Sequence, residues 1–247
     1  MDVAAIIPAY KPDMRLKSHV ESLLSNGFSK VVVIDDGSPS ASSAVFDSIA
    51  DIGGCVLLRH VANRGKGAAL KTGFSWVAEN MPGVAGVVTC DADGQHRSAD
   101  CLSVAKAMLS GPRGLYLGTR NFSLAGVPFR SRFGNFWISV FFWILHGTWL
   151  ADTQTGLRAF RREDLTGMAS VRGERFDYEM EMLCAASCER LPIKAVSIET
   201  VYEPGNPTSH FSPIVDSFVI CKVVFAAFLR YVLCRRKAFS CVKGEKP

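Results

Sequence analysis

The plainest chemistry in the chain lies in two aspartates that end an apolar run, Val87-Val88-Thr89-Cys90-Asp91-Ala92-Asp93-Gly94-Gln95-His96. Such a run, stopped abruptly by acids, reads as a buried strand ending at the carboxyl edge of a parallel sheet, where ligands collect. Two carboxylates one residue apart can there hold one hard divalent cation that bridges phosphate oxygens. Gln95 is placed to add a neutral oxygen ligand, and Gly94 frees the turn. The plain alternative is a pair of solvated turn aspartates capping the helix that follows. A DxD pair alone occurs by chance; its place at a strand end favours the metal reading.

Two more strand ends carry similar equipment. Asp35-Asp36-Gly37-Ser38 closes the run Val31–Ile34 and offers carboxylate acceptors for a nucleotide base or ribose, or simply an Asx turn. Ile7-Pro8-Ala9-Tyr10-Lys11-Pro12 closes the first run with an aromatic able to stack on a base and a lysine near its phosphates; a proline-stiffened turn is the alternative. The stretch Asn63-Arg64-Gly65-Lys66-Gly67-Ala68-Ala69-Leu70-Lys71-Thr72 fails as a P-loop, because Leu70 stands where the second glycine is required. What remains is a basic, glycine-loosened helix entry where Arg64, Lys66 and backbone N–H groups can meet a phosphate. The chain has no GxSxG and no HExxH, so hydrolase and zinc-protease readings find no support.

The elements that must position these residues are legible in the first 120 residues. Apolar runs at Val3–Ile7, Val31–Ile34, Cys55–Leu58, Val84–Thr89 and Leu115–Leu117 predict buried parallel strands. Helical patterns lie between them at Met14–Asn26, Ser42–Ala50, Ala68–Asn80 and Ser98–Leu109, the last with Ser98 as a candidate N-cap. This alternation predicts an α/β, doubly wound, mainly parallel sheet.

The second half differs. No charged residue occurs from Phe133 to Ala151, and that segment holds Trp137, Trp143 and Trp149. Its apolar core is too short to span a bilayer. Pro213–Cys234 is apolar but broken by Asp216, Lys222 and Arg230, and runs into Arg235, Arg236 and Lys237. Both segments can lie on a membrane surface, tryptophans at headgroup depth and basic residues on anionic lipid; ordinary core packing or a homodimer contact is the alternative. We expect a catalytic domain over 1–212, with a surface helix over 133–150, and an amphipathic, basic tail over 213–247.

With 247 residues, 48% of them hydrophobic and 21% charged, the chain can bury a sizeable core and is too apolar to be disordered. A net charge of +5 is too diffuse for a nucleic-acid binder, but suits phosphate-bearing ligands or an anionic membrane face. The amino terminus does not read as a signal peptide. None of the eight cysteines forms a CxxC pair, so we read them as buried or incidental thiols in a reducing, intracellular compartment, zinc being remote.

Taken together and in order, Pro8-Ala9-Tyr10, Asp35-Asp36-Gly37-Ser38, Asn63-Arg64-Gly65-Lys66-Gly67 and Asp91-Ala92-Asp93-Gly94-Gln95-His96 resemble the inverting family 2 glycosyltransferases. The likeness is to the dolichyl-phosphate mannose synthase and polyprenyl-phosphate glycosyltransferase branch. It continues through Gly118-Thr119-Arg120, Arg130-Ser131-Arg132 and Asp152-Thr153-Gln154-Thr155-Gly156-Leu157-Arg158, and so covers roughly residues 3 to 212.

The resemblance implies a GT-A fold with C-terminal interfacial helices. It implies a UDP- or GDP-sugar bound through Pro8, Ala9, Tyr10, Asp36, Arg64, Lys66, Asp91 and Ala92. Asp91, Asp93 and Gln95 would hold Mg²⁺ or Mn²⁺, and Arg120, Arg130 and Arg132 would receive the phosphate of a polyprenyl (dolichyl or undecaprenyl) acceptor at the cytoplasmic face of the membrane. Asp93, Asp152 and Arg120 form the expected catalytic set. Two departures stand out: the QxxRW motif of processive polymerases is absent, and so is a long carboxy-terminal membrane domain, which leaves membrane contact to the two apolar segments or to a partner subunit.

The residues fit such an acceptor on their own terms. A phosphomonoester, with a second pKa of about 6, is already a nucleophile at neutral pH and needs cations rather than a base. A solvated basic rim is the plain reading of the arginines. Asp152 stays open: a base toward a hydroxyl acceptor, an orienting group, or a salt bridge to Arg158. In Phe176-Asp177-Tyr178-Glu179-Met180-Glu181, Asp177 reads as a helix cap, and Glu179 or Glu181 as a sugar contact or merely a solvated acid. Asn206, Ser209 and His210 lie in a loop, Glu203–Pro213, that can close over the site. His210 is a further ligand candidate, although a lone loop histidine is more often none. The competing functions are transfer to a saccharide or protein hydroxyl with Asp152 as base, and a non-catalytic nucleotide-sugar-binding subunit.

Overall fold

The structure is a computed structural model describing residues 1–120, 129–199 and 222–230, with the side chains of all but 129–133. The expected runs form strands β1 (Val3–Ala9), β2 (Lys30–Asp35), β3 (Cys55–Arg59), β4 (Gly86–Thr89) and β5 (Leu115–Arg120). Between them lie helices α1 (Arg15–Ser25), α2 (Ser43–Ala50), α3 (Lys66–Asn80) and α4 (Ser98–Ser110). Then follow α5 (Phe129–His146), β6 (Arg158–Arg161), α6 (Leu165–Ser170), α7 (Asp177–Cys188) and β7 (Ile193–Ile198). The described strands make one seven-stranded sheet in the order β3-β2-β1-β4-β6-β5-β7.

Both faces of the sheet are covered, which is why β1 is apolar and buried at every position. In β1, Ala4 and Ile6 point into a core shared with α3, α5, α6 and α7, while Val3, Ala5, Ile7 and Ala9 point into one shared with α1, α2 and α4. Parallel pairing of β1 with β2 and β4, and of β2 with β3, brings four carboxyl ends to one edge. Strand β6 runs antiparallel between β4 and β5, so its start meets that edge, and β5 ends there too. One rim of the sheet thus collects Tyr10, Asp35, Asp36, Asp91 and Arg120.

Two expected helix caps are corrected. Arg97, not Ser98, is the N-cap of α4. The Ser98 hydroxyl instead meets Ser22 Oγ at 2.7 Å and accepts from Asn26 Nδ2, which ties α4 to α1. Asp177 is the first residue of α7 rather than its cap, and its carboxylate accepts from the Arg175 N–H at 3.0 Å.

A helical stretch over 222–230 lies within the expected tail. It packs Val224 and Ala227 into the core that α5 and α7 share, with Phe228 edge-on to His146 at 6.1 Å. His146 in turn stacks on Phe142 at 4.6 Å. Burial lowers the His146 pKa, partly countered by a hydrogen bond with the Val224 backbone. The neutral ring is therefore favoured in the fold, so its stabilisation is complete above the unfolded imidazole pKa of about 6.5 and is lost as pH falls below it. Thermal midpoints measured between pH 7.5 and 5 should fall less steeply for His146→Phe than for the parent chain; identical slopes would contradict this.

None of the described helices is long and apolar enough to cross a membrane. Phe136, Trp137, Trp143 and Trp149 are nonetheless about half exposed and Ile144 about two thirds, with Phe225 and Leu229 of the 222–230 stretch likewise open.

Candidate active site

The centre of the rim is an ion-paired cluster that sequence spacing does not show. Lys66, the first residue of α3, sets its ammonium 2.6 Å from Asp91 Oδ1 and 3.0 Å from Glu179 Oε1 on α7. Burial opposes charge on both partners, but mutual attraction outweighs it: the Asp91 pKa falls and the Lys66 pKa rises. Glu179 is therefore a buried member of the site, not an acid on a solvated face. Glu181, two residues on and on another face of the helix, pairs with Arg230 instead. The third wall is Gly156, where a Cβ would stand 2.7 Å from Asp91 Oδ2 and 3.0 Å from Lys66 Nζ. Only a hydrogen fits there, which explains a glycine at that point of the loop.

Asp93 lies just beyond. Burial and the neighbouring Asp91 charge both raise its pKa, as two crowded carboxylates do. Its Oδ1 accepts from the Gln95 N–H at 3.0 Å, closing a turn in which Gly94 takes φ 74°. His96 turns back: its Nδ1 accepts from the Asp91 N–H at 3.1 Å. Asp91, Asp93 and the partly exposed Gln95 are thus gathered on one short turn at the end of β4.

Asp36 has a different setting from the one expected. It is 2% exposed, and its Oδ1 accepts from the Arg64 N–H at 2.9 Å and Oδ2 from the Gly65 N–H at 2.7 Å. The His60 ring bridges Oδ1, at 2.8 Å, to Thr72 Oγ1, at 2.9 Å. A buried carboxylate requires donors, and the loop before α3 supplies them. The backbone N–H groups of Arg64 and Gly65 therefore serve Asp36 rather than standing open to a phosphate. Ala68 N–H likewise donates to Glu174 O, while the Arg64 side chain is exposed.

Pro8 and Ala9 are buried in β1, and Tyr10 is the exposed member of that motif, at 48%, with Lys11 Nζ 5.2 Å from its ring. Lys11 N–H donates to Ser38 Oγ, joining the loops after β1 and β2. Gly37 has φ 68°, and a Cβ there would fall 2.2 Å from the Ala62 carbonyl carbon. Gly37→Ala should cost on the order of 3 kcal/mol, from left-handed strain plus a backbone clash. The midpoint of urea unfolding checks this, and an unchanged midpoint would contradict it.

On the far side, Asp152 is fully buried and paired with Arg120, not with Arg158. Arg120 donates from Nε to Oδ2 at 2.8 Å and from Nη2 to Oδ1 at 3.1 Å, a two-pronged contact, and Gln154 N–H donates to Oδ1. The register explains it: Leu117 pairs with Arg158, so β5 and the loop before β6 end side by side. Arg158 instead donates to the backbone carbonyls of Thr155 and Glu179. Ala92 is partly exposed between the two aspartates. The side chains of Arg130 and Arg132, together with Asn206, Ser209, His210, Arg235, Arg236 and Lys237, lie outside the described residues.

A doubly covered α/β sheet with paired aspartates and cations at its rim is of the GT-A class. Residues 4–167 match glycosyl transferase family 2, and the chain belongs to that family. It is a glycosyltransferase. Among relatives, it is 27% identical over 214 residues to the UDP-N-acetylglucosamine–dolichyl-phosphate N-acetylglucosaminyltransferase of Methanococcus voltae, covering 80% of this chain and 84% of that one. It is 26% identical over 271 residues to the dolichyl-phosphate beta-glucosyltransferase of Drosophila melanogaster, covering 100% of this chain and 80% of that one. Its fold is similar to that of glucosyl-3-phosphoglycerate synthase from Mycobacterium tuberculosis, solved with Mn²⁺, UDP and glucosyl-3-phosphoglycerate, at a TM-score of 0.67 and 16% identity over 93% of this chain and 79% of that one.

Proposed function

We propose that this glycosyltransferase moves a hexose, with inversion, from a UDP- or GDP-sugar to a polyprenyl phosphate at the cytoplasmic membrane face. The observation that carries the reading is the Arg120–Asp152 pair. A carboxylate that is fully buried and held by both arms of a guanidinium cannot reach a hydroxyl proton without first losing its partner. That weighs against the hydroxyl-acceptor reading with Asp152 as base. It favours an acceptor that brings its own charge and needs only to be held. The names of the Methanococcus and Drosophila relatives support the same acceptor class.

The donor diphosphate belongs beside Asp91 and Asp93. The crowding that raises the Asp93 pKa is what a divalent cation relieves, so these residues fit Mg²⁺ or Mn²⁺, with Gln95 as a further oxygen ligand. When bound, the ion would neutralise charge gathering on the departing nucleoside diphosphate. Lys66 holds Asp91 in place and keeps a cation next to the leaving group. Tyr10 offers its exposed ring to the base. Arg120, steadied by Asp152, orients the acceptor phosphate, whose oxygen attacks the anomeric carbon opposite the nucleotide. That carbon's bond to the diphosphate breaks, giving a sugar phospholipid and a nucleoside diphosphate with no proton to move. Arg130 and Arg132 would complete the phosphate site.

The exposed aromatic face of α5 supports attachment to the membrane surface, tryptophans at the interface. Incubation with radiolabelled UDP- and GDP-sugars and polyprenyl phosphate in anionic vesicles should yield an acid-labile, solvent-extractable sugar lipid. Label appearing solely on a saccharide or protein hydroxyl would overturn the reading.

A further inference from the structure

The sheet face opposite the α3 core holds a cluster that glycosyl transfer does not use. His19 on α1, Cys90 at the end of β4 and Cys101 in the first turn of α4 converge, with one imidazole nitrogen and both sulfurs within 4.8 Å of one another. All three are buried, at 6%, 1% and 0% exposure. The adjacent Cys101 thiol and burial raise the Cys90 pKa. Among the described residues, His19 Nε2 is buried with no hydrogen-bond partner. An orphaned imidazole nitrogen inside a hydrophobic core is costly unless something fills its place.

We propose that His19, Cys90 and Cys101 form a structural site for a soft divalent metal of the Zn²⁺ class, separate from the oxygen-lined turn at Asp91 and Asp93. Two sulfurs and one imidazole suit zinc and suit Mg²⁺ or Mn²⁺ poorly. Binding replaces two thiol protons, released to solvent, with two Zn–S bonds, and the His19 lone pair makes a third. Two thiolates and a dication sum to zero charge, which a buried site tolerates. Three protein ligands are one fewer than closed structural zinc sites carry, so the fourth tetrahedral position is left to an exogenous ligand.

A Cys90–Cys101 disulfide would explain the sulfur pair but leave His19 unexplained. The consequence of the metal is mechanical. Cys90 directly precedes Asp91, so the ion would pin the acid-bearing end of β4 to α1 and α4, reinforcing the Ser22–Ser98 link nearby. Sequence spacing hides the site, because its ligands come from three elements and no CxxC marks them. It does not rest on the proposed acceptor, and either reading can fail without the other.

The test uses the full chain, stripped of metal and titrated with Co²⁺ and then Zn²⁺ alone. The expected result is thiolate-to-cobalt charge-transfer absorption with tetrahedral ligand-field bands, saturating at one equivalent and bleached by Zn²⁺. This absorption should drop at least tenfold in Cys101→Ser and in His19→Gln, yet persist in Asp93→Asn. Should either core variant fail to fold, X-ray absorption at the zinc edge of the wild-type chain decides: two sulfur neighbours at about 2.3 Å and a nitrogen neighbour support the site. No thiolate absorption, absorption that survives both core variants, an all-oxygen shell, or a Cys90–Cys101 disulfide in freshly purified protein would each overturn it.

Discussion

Asp93→Asn should lower turnover about a thousandfold, roughly 4 kcal/mol of lost transition-state stabilisation, while leaving the fold at least as stable as before. The two effects run in opposite directions for one reason. Burial and the Asp91 charge raise the Asp93 pKa, so keeping Asp93 ionised costs the folded chain stability. Asparagine has the same shape and removes the repulsion, which raises the thermal midpoint or leaves it unchanged. It also removes one of the two charges that would hold the divalent ion against the donor diphosphate. Initial rates of sugar-lipid formation and a thermal melt of the same preparation check both halves. Full activity, or loss of activity through unfolding, would contradict the account.

Asp152→Asn should cost about 3 kcal/mol of stability and raise the KM for polyprenyl phosphate more than it lowers kcat. Breaking a buried pair by neutralising one partner typically costs about 3–5 kcal/mol, because the other charge is left uncompensated. Arg120 keeps 29% side-chain exposure, so water softens the loss toward the lower figure. The guanidinium would then drift from the position in which Asp152 holds it, and the acceptor phosphate would feel that first. Urea unfolding and a KM-against-kcat split on the variant read this out. A fall in kcat with unchanged KM and unchanged stability would instead mark Asp152 as a base and favour the hydroxyl-acceptor reading.

What the sequence made legible follows from where local chemistry suffices. Strands β1 to β5 are apolar runs because both faces of the sheet are covered, and most boundaries of these strands and their helices fall within a residue or two of the expected ones. The acids at the ends of β2 and β4 stand out because charge follows directly on apolar strand. Strand β6 is hidden because it is four residues long and begins with Arg158, a cation buried against the backbone carbonyls of Thr155 and Glu179.

The partnerships within the site are also invisible in one dimension. Arg120 and Asp152 lie 32 positions apart and meet because β5 and β6 are antiparallel neighbours. His60 reaches Asp36 because Asp35 pairs with Arg59, which sets the next residues side by side. That register also makes Asp36 the organiser of the loop before α3. Gly156 is read correctly in the structure alone, as the one residue small enough to lie against Asp91 and Lys66.

Calorimetric titration of the chain with UDP and with GDP, in Mn²⁺ and then in excess chelator, tests the metal-and-diphosphate centre most directly. The expected outcome is binding of at least one nucleotide that weakens tenfold or more when the metal is removed, and weakens equally in Asp93→Asn with metal present. Binding of equal strength with and without the ion, or unaffected by the substitution, would contradict a site built by Asp91 and Asp93.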